Sequence, residues 1–400
     1  MKIVFLEFVT HFGGAQRSMV EFAARLKGHA QVTILDVDGF CRPFAQAAEQ
    51  LGVERRVLLS RNQAVVVGGQ GRLFRRLLNV ARSLPALWQA RARAAQAIRE
   101  LAPDLVISHH FKSASLIGFN RGLRDIRQMV YLHGWYTPDM LPWYGRKLLR
   151  DRCAGILTIS RATKHAVICA GIDGAKIHVL HNPIDIDDMR RLAARPLLTP
   201  LPQMHRPVRI LLPAAVIRTK GQHTAVAAMR RVLDAGVDAV LWLAGPHAWA
   251  VGANKDYPDR VRGLAARLGV AERIAWIGDR EDLPQVYQAC TQVVLPTHTE
   301  GHPRVIVEAM ALERPVTACP VGGVVDMILP ETTGLLFDVE DEAALADNIV
   351  RFAREEELVG RVTTNALHYV RTCFRPQAHL RQALRIFDAV IGGQGPRELK

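Results

Sequence analysis

The sequence predicts an α/β protein made of two Rossmann-like domains, and three observations carry that prediction. Apolar, β-rich runs recur along the chain, most of them separated by helix-length segments, the pattern of parallel sheets covered on both faces. An opening plan of strand, glycine turn and helix at residues 3 to 26 restarts near residue 208. The chain has 400 residues, too many for one ordinary core; at roughly 150 residues per domain, two domains are expected.

Taken in order, Ile3 to Val9 forms the first apolar run, followed by Gly13-Gly14 and a helical pattern with Met19, Phe22, Ala23 and Leu26 on one face. Residues 31 to 36, 104 to 108, 128 to 132 and 155 to 159 read as further buried strands of a domain spanning 1 to 195. A Pro-rich stretch at 196 to 207 marks the joint. The second domain, 206 to 377, restarts with VRILLPAAV, the polar turn RTKGQ and a helix from His223 to Leu233. Its other strands are expected at 239 to 244, 273 to 277, 292 to 295 and 315 to 318, and a last helix, 378 to 392, is expected to pack back on the first domain. Ligands of such open sheets bind beyond the carboxyl ends of the strands, so function is sought in the turns that follow them.

Hydrophobic residues make up 49% and charged residues 22% of the chain, so general disorder is excluded. No run approaches the roughly 18 apolar residues of a membrane span, and MKIVFLEFV has neither the apolar core nor the cleavage site of a signal peptide. A cytoplasmic protein is expected. Six cysteines, at 41, 153, 169, 290, 319 and 373, include no CxxC; this argues against a zinc site and a disulfide framework, and they are expected to be core thiols.

The net charge of +14 is concentrated in the first half, where residues 1 to 190 hold 27 Lys and Arg against 15 Asp and Glu. Between Arg55 and Arg99 there are ten arginines and no acid, which points to an anionic partner. A nucleic-acid binder would interleave aromatics for stacking, and this segment has only Phe74 and Trp88; no nucleic-acid partner is expected. At 100° per residue, Arg72, Arg75, Arg76 and Arg82 fall on the arc opposite Leu73, Phe74, Leu77, Leu78, Val80 and Ala81. That arginine face suits an anionic membrane surface, and the same segregation is what a helix covering a sheet would show.

Two motif-like segments carry little weight. VVVGGQG at 65 to 71 has Phe74 where G-x-G-x-x-G needs its third glycine, so it reads as a turn. Asp36-Val37-Asp38 looks like a metal-binding D-x-D, but it closes a strand of the first half.

The sharpest signal is THTEGHPRVIVEAMALERP, residues 297 to 315. A strand ends at Leu295, Gly301 permits a close approach, and Pro303 suits the first turn of a helix whose N-terminal end attracts phosphate. Glu300 precedes that helix and Glu308 lies within it, two acceptors suited to sugar and ribose hydroxyls. An ordinary capped helix with two solvated glutamates is the plainer alternative. Arg218 and Lys220, in the turn after the first strand of the second half, would add two cations at the same sheet edge.

Together these segments resemble the retaining GT-B glycosyltransferases of family 4. Glu300 and Glu308 match the E-x7-E motif, and the order of the others agrees: GGAQRS, LHG at 132 to 134, TISRAT, HNPID, RTKG, LAGP, IGD at 277 to 279, GGVVDMI and TGLLF. The resemblance covers residues 2 to 390 and implies two domains facing each other across a cleft. It further implies Gly14 beside the donor diphosphate or the acceptor, and Arg218 and Lys220 on the diphosphate. Gly245, Gly301, Pro303, Arg304 and Val305 would complete the donor site, with the stretch from Gly278 to Arg280 at the base. Glu300 would touch the donor sugar, Glu308 the ribose, and His133 would be the active-site histidine near the sugar. His302 departs from the pattern, standing where the family commonly has an aromatic or small residue.

The implied reaction moves a sugar, with retention, from a UDP- or GDP-linked donor to a saccharide or lipid-linked acceptor in bacterial cell-surface polysaccharide or lipopolysaccharide synthesis. Location would be peripheral at the inner face of the membrane, with no cofactor and no catalytic metal. A two-carboxylate glycosidase is set aside because it would leave the cationic phosphate site without purpose. A GT-B-shaped epimerase or phosphorylase, and a non-catalytic anion binder, are the remaining alternatives; the motif order speaks against the enzymes.

Overall fold

The computed structural model describes residues 1–10, 12–59, 73–246 and 254–393, the side chains of 73–83 excepted. The chain forms two compact units, Met1–His181 with His379–Lys400, and Asn182–Ala378.

In the first unit, β1 (Lys2–Glu7), β2 (Gln31–Asp36), β3 (Glu54–Val57), β4 (Leu105–Ser108), β5 (Gln128–Leu132), β6 (Gly155–Thr158) and β7 (Ile177–Val179) make a parallel sheet. Their order is β3-β2-β1-β4-β5-β6-β7. Alternate side chains of β1 serve opposite faces, as strand geometry requires. Ile3 and Phe5 pack with Met19, Phe22 and Leu26 of helix Gly14–Leu26, while Val4 and Leu6 pack with Ala90, Ala94 and Ile98 of helix Leu73–Leu101. The last helix, Pro376–Ile391, sends Ala383, Ile386, Phe387 and Val390 into the Ile3/Phe5 layer, and Gln382 Nε2 donates to Val179 O at 2.9 Å.

In the second unit, β8 (Val208–Pro213), β9 (Ala239–Ala244), β10 (Ile274–Gly278), β11 (Gln292–Leu295), β12 (Val316–Ala318) and β13 (Leu335–Leu336) repeat the plan in the order β10-β9-β8-β11-β12-β13. Ile210 and Leu212 face helices Gln222–Asp234 and Glu342–Arg354; Leu211 and Trp242 face helix Arg304–Ala311. In both sheets the order reverses beside the first strand, which makes β1/β4 and β8/β11 the switch points where ligands of such sheets bind.

Two expectations need correction. The first domain does not extend to 195: residues 182 onward belong to the second unit, because Ile184 and Ala193 are buried in its core and Ile184 N donates to Phe374 O at 2.9 Å. The cysteines are not all core thiols either, since Cys169 and Cys373 end amphipathic helices on their exposed sides.

Candidate functional site

The loops after β8 and β11 are stitched together by Thr219, whose carbonyl accepts from His298 N at 2.9 Å and from the Thr297 hydroxyl at 3.0 Å. Gly221 makes this approach possible. Its φ of +68° is left-handed, and a Cβ there would sit 1.8 Å from Pro296 O. Gly245 plays the same part after β9: a Cβ would lie 2.2 Å from Ala214 O, and its N–H donates to Gly278 O at 2.7 Å.

This stitching brings Lys220 and Glu300 together as a largely buried ion pair. Arg218 lies in the same short helical turn, Arg218–Lys220, with its guanidinium exposed and Nη2 3.6 Å from Glu340 Oε1. Helix Arg304–Ala311 starts beyond Gly301 and His302. Pro303 is its N-cap residue, one position earlier than the expected first turn, because its ψ of 110° is extended. Glu308 lies within the helix, where Oε2 accepts from the Tyr287 hydroxyl at 3.2 Å and Oε1 lies 3.7 Å from Arg304 Nε. Each cation here, Arg218, Lys220 and Arg304, thus faces a carboxylate. The two cations expected at this sheet edge stand in ion pairs.

Other site candidates separate. Val305 follows Arg304 on the same helix. Arg280 turns away from solvent, donating to both oxygens of Asp282 at 2.7 and 2.6 Å and to Thr199 O at 2.9 Å, so its guanidinium braces the segment before β8. His302 is buried with its ring 5.4 Å from Phe374, a packing role. Arg72 lies outside the described residues, as do the side chains of Arg75, Arg76 and Arg82 and the segment 65 to 71.

His133 and Gly14 belong to the first unit. Gly14 opens helix Gly14–Leu26, is exposed, and a Cβ there would meet nothing within 4 Å. His133 follows β5, its ring stacked on His109 at 4.6 Å. The ring nitrogens of both are buried without a hydrogen-bond partner among the described residues. Burial lowers the His133 pKa to about 3 and, together with the neighbouring His133 and His110, holds His109 well below the ordinary range. Both rings are neutral at pH 7. Beneath them Glu7 ends β1, accepting from His109 N at 2.9 Å and from the Ser113 hydroxyl at 3.0 Å. Burial raises its pKa to about 8 against the pull of those bonds. Sequence reasoning passed over Glu7, although an acid closing an apolar strand was a visible signal; it also missed Tyr287 and Glu340, which have no local motif. Asp36 of the D-x-D is committed, accepting from Gly39 N at 3.0 Å and Arg55 Nη1 at 2.8 Å.

Comparison with known proteins decides the family. Residues 12–188 match Glycosyltransferase Family 4, and residues 203–368 match Glycosyl transferases group 1. The chain belongs to the family 4 glycosyltransferases.

Among its relatives is D-inositol 3-phosphate glycosyltransferase 1 of Catenulispora acidiphila, 26% identical over 316 residues, 73% of this chain and 74% of that protein. The D-inositol 3-phosphate glycosyltransferase of Corynebacterium efficiens is 34% identical over 116 residues, 28% of this chain and 27% of its own length. The match to that of Salinispora arenicola spans 33% of the relative, so this glycosyltransferase matches only about a third or less of those two proteins. Solved structures share its fold. HepE of Anabaena, crystallised with UDP, has a TM-score of 0.79 at 21% identity, covering 97% of this chain and 100% of that one. The lipopolysaccharide outer core galactosyltransferase WaaB has a TM-score of 0.69 at 18% identity, covering 98% and 99%. Among the described residues, no helix of the glycosyltransferase is long and apolar enough to cross a membrane.

Proposed function

We propose that the second unit binds a UDP- or GDP-linked sugar and that the enzyme transfers this sugar, with retention, to a saccharide or lipid-linked acceptor in bacterial cell-surface polysaccharide or lipopolysaccharide synthesis. The observation that carries the reading is the convergence of Arg218, Lys220 and Glu300 on the β8/β11 switch point, next to the start of helix Arg304–Ala311. The HepE structures with UDP and with UDP-glucose support the donor class.

In this reading the diphosphate displaces carboxylates from the cations. Lys220 exchanges Glu300 for phosphate oxygen and Arg218 exchanges Glu340, while Glu300, released, accepts from hydroxyls of the donor sugar. Glu308, held by the Tyr287 hydroxyl, accepts from the ribose. Gly245, Gly301, Pro303, Arg304 and Val305 line the phosphates with backbone, and the Gly278 to Arg280 backbone meets the base. As the anomeric C–O bond breaks, its electron pair goes to the diphosphate, where fixed positive potential is worth most. The acceptor oxygen then bonds to the same face, and its proton passes to the departing phosphate. His133, neutral, offers a hydrogen bond near the sugar. Gly14 owes nothing to packing, so its missing side chain fits close approach of a ligand. The arginine-rich segment holds the enzyme to anionic lipid.

Thermal shift with UDP-, GDP-, ADP- and dTDP-sugars tests the donor. The true donor stabilises wild type by mass action and stabilises Lys220→Ala less; no shift with any of the four ends the donor reading. Co-sedimentation with phosphatidylglycerol vesicles tests attachment. At about 1 kcal/mol per basic residue near the bilayer, changing Arg72, Arg75, Arg76 and Arg82 to Gln should abolish low-salt binding, and equal sedimentation of both proteins refutes it.

A further inference from the structure

The Arg218–Glu340 contact belongs to a larger cluster. The first turn of helix Gln222–Asp234 and two loops of the second unit bring His223, His298 and Glu340 together with ligand atoms within 4.8 Å of one another. His223 Nε2 lies 3.6 Å and His298 Nε2 3.7 Å from the same Glu340 Oε1. We propose that His223, His298 and Glu340 form a binding site for one zinc-class divalent ion, beside the donor loops and in competition with Arg218.

Both imidazoles are pre-oriented. His223 Nδ1 is 2.8 Å from the Tyr257 hydroxyl oxygen, which also accepts the His223 main-chain N–H at 3.2 Å. This second contact fixes the ring and directs Nε2 towards Glu340, the arrangement that metal-binding histidines require. His298 is fixed from its backbone by Thr219 O, and its Nε2 is buried yet makes no hydrogen bond among the described residues. Glu340, half exposed, sits in the turn that precedes helix Glu342–Arg354, and its Oε1 lies 3.6 and 3.7 Å from the two nitrogens, close to the roughly 3.3 Å that separates ligand atoms bonded at about 2 Å to one tetrahedral ion. Two imidazoles and one carboxylate select zinc, cobalt or nickel over magnesium and calcium, and three protein ligands leave a fourth position open. The cysteine spacing that argued against zinc does not bear on this nitrogen and oxygen set.

Arg218 sets the sign of the coupling. Its Nη2 is 3.6 Å from the oxygen the ion needs, so cation and guanidinium compete for one carboxylate. Metal binding therefore releases Arg218 from Glu340.

The test is equilibrium dialysis and calorimetry of the full chain with Zn2+, together with the visible absorption of Co2+, all without nucleotide so that failure of the donor reading leaves the result intact. One ion per chain is expected, with the intense Co2+ bands of a four-coordinate site and no competition by excess Mg2+. His223→Asn, His298→Asn and Glu340→Gln should each lose that ion. Tyr257→Phe should weaken it roughly tenfold to hundredfold, and Arg218→Ala should tighten it several-fold. All five positions are wholly or partly exposed or keep their shape, and circular dichroism checks their folding. If His223→Asn and His298→Asn, both folded, retain the bound ion, or wild type binds none, the proposal is overturned.

Discussion

The two units share one strand order but put opposite chemistry at their switch points. At the ends of β1, β4 and β5 the first unit holds the polar atoms of Glu7, His109 and His133 out of water and keeps all three neutral at pH 7. After β8 and β11 the second unit pairs Lys220 with Glu300, largely buried, and Arg218 with Glu340, exposed. The difference is one of desolvation. In the first site burial outweighs the nearby basic groups, His110 Nε2 lying 3.8 Å from Glu7 Oε1 and Lys112 close by, whereas Arg218, Lys220 and Arg304 of the second each face a carboxylate. One topology thus yields a neutral polar cluster in one unit and an ion-paired one in the other.

The largest effect expected from this contrast is a dependence of stability on pH. Glu7 has a folded pKa of about 8 against 4.5 when unfolded, so it favours the folded state below pH 4.5, and that contribution is lost as pH rises to 8. At about 1.4 kcal/mol per unit this amounts to as much as roughly 5 kcal/mol. The buried histidines act in the opposite window, losing stability only as pH falls below 6.5. Between pH 6.5 and 8, therefore, wild-type Tm should fall and that of Glu7→Gln should stay level; parallel curves for the two proteins would mean Glu7 is not held protonated.

Next come the glycines that open each site. Gly221→Ala forces a left-handed backbone on a Cβ and drives it into Pro296 O, which should cost about 2 kcal/mol or more in calorimetric unfolding. Gly14→Ala meets open space and should be neutral or stabilising by up to about 1 kcal/mol, yet should slow transfer if a ligand approaches there. Comparable destabilisation at both positions would erase the distinction between a glycine the fold needs and one the ligand needs.

Nucleotide affinity separates the two sites more finely. Lys220→Ala should weaken UDP binding roughly tenfold to hundredfold, the worth of a charge-assisted hydrogen bond, while His133→Ala should leave it unchanged in the same titration. The smallest difference lies between the two glutamates. Glu308→Gln should reduce UDP affinity several-fold because ribose is present in donor and product alike; Glu300→Gln should spare UDP and reduce turnover. Equal losses of UDP affinity would show that sugar and ribose have been assigned to the wrong carboxylates.

Much of this architecture was legible in the residues alone. Ten strands fall where their apolar runs stand, and the helix faces of Met19, Phe22 and Leu26 are buried as their spacing requires. Among the described residues, the three strands that sequence reading missed, β3, β7 and β13, all lie at sheet edges. β3 is ERRV, with its side chains largely exposed, and β7 and β13 have three and two residues; an edge strand pairs through its backbone on one side and so needs little of the apolar pattern that betrays a central one.

The site divides in the same way. Sequence alone determined which candidate residues share a turn or a sheet edge, because Arg218 and Lys220 are neighbours, Glu300 and Glu308 lie on either side of one helix start, and the strand, turn and helix pattern puts both segments at strand ends. Partnership was decided only in three dimensions. Glu340 reaches Arg218 across more than a hundred residues, Tyr287 reaches Glu308 from another helix, and Arg280 turns inward to Asp282. Only the packed chain decides whether a carboxylate is solvated, paired or forced to hold its proton, because that depends on which distant groups replace water around it. Glu7, the last residue of β1, and Glu300, in the loop after β11, are the same residue type at the carboxyl edges of two sheets, and tertiary structure makes one a buried acid and the other half of an ion pair.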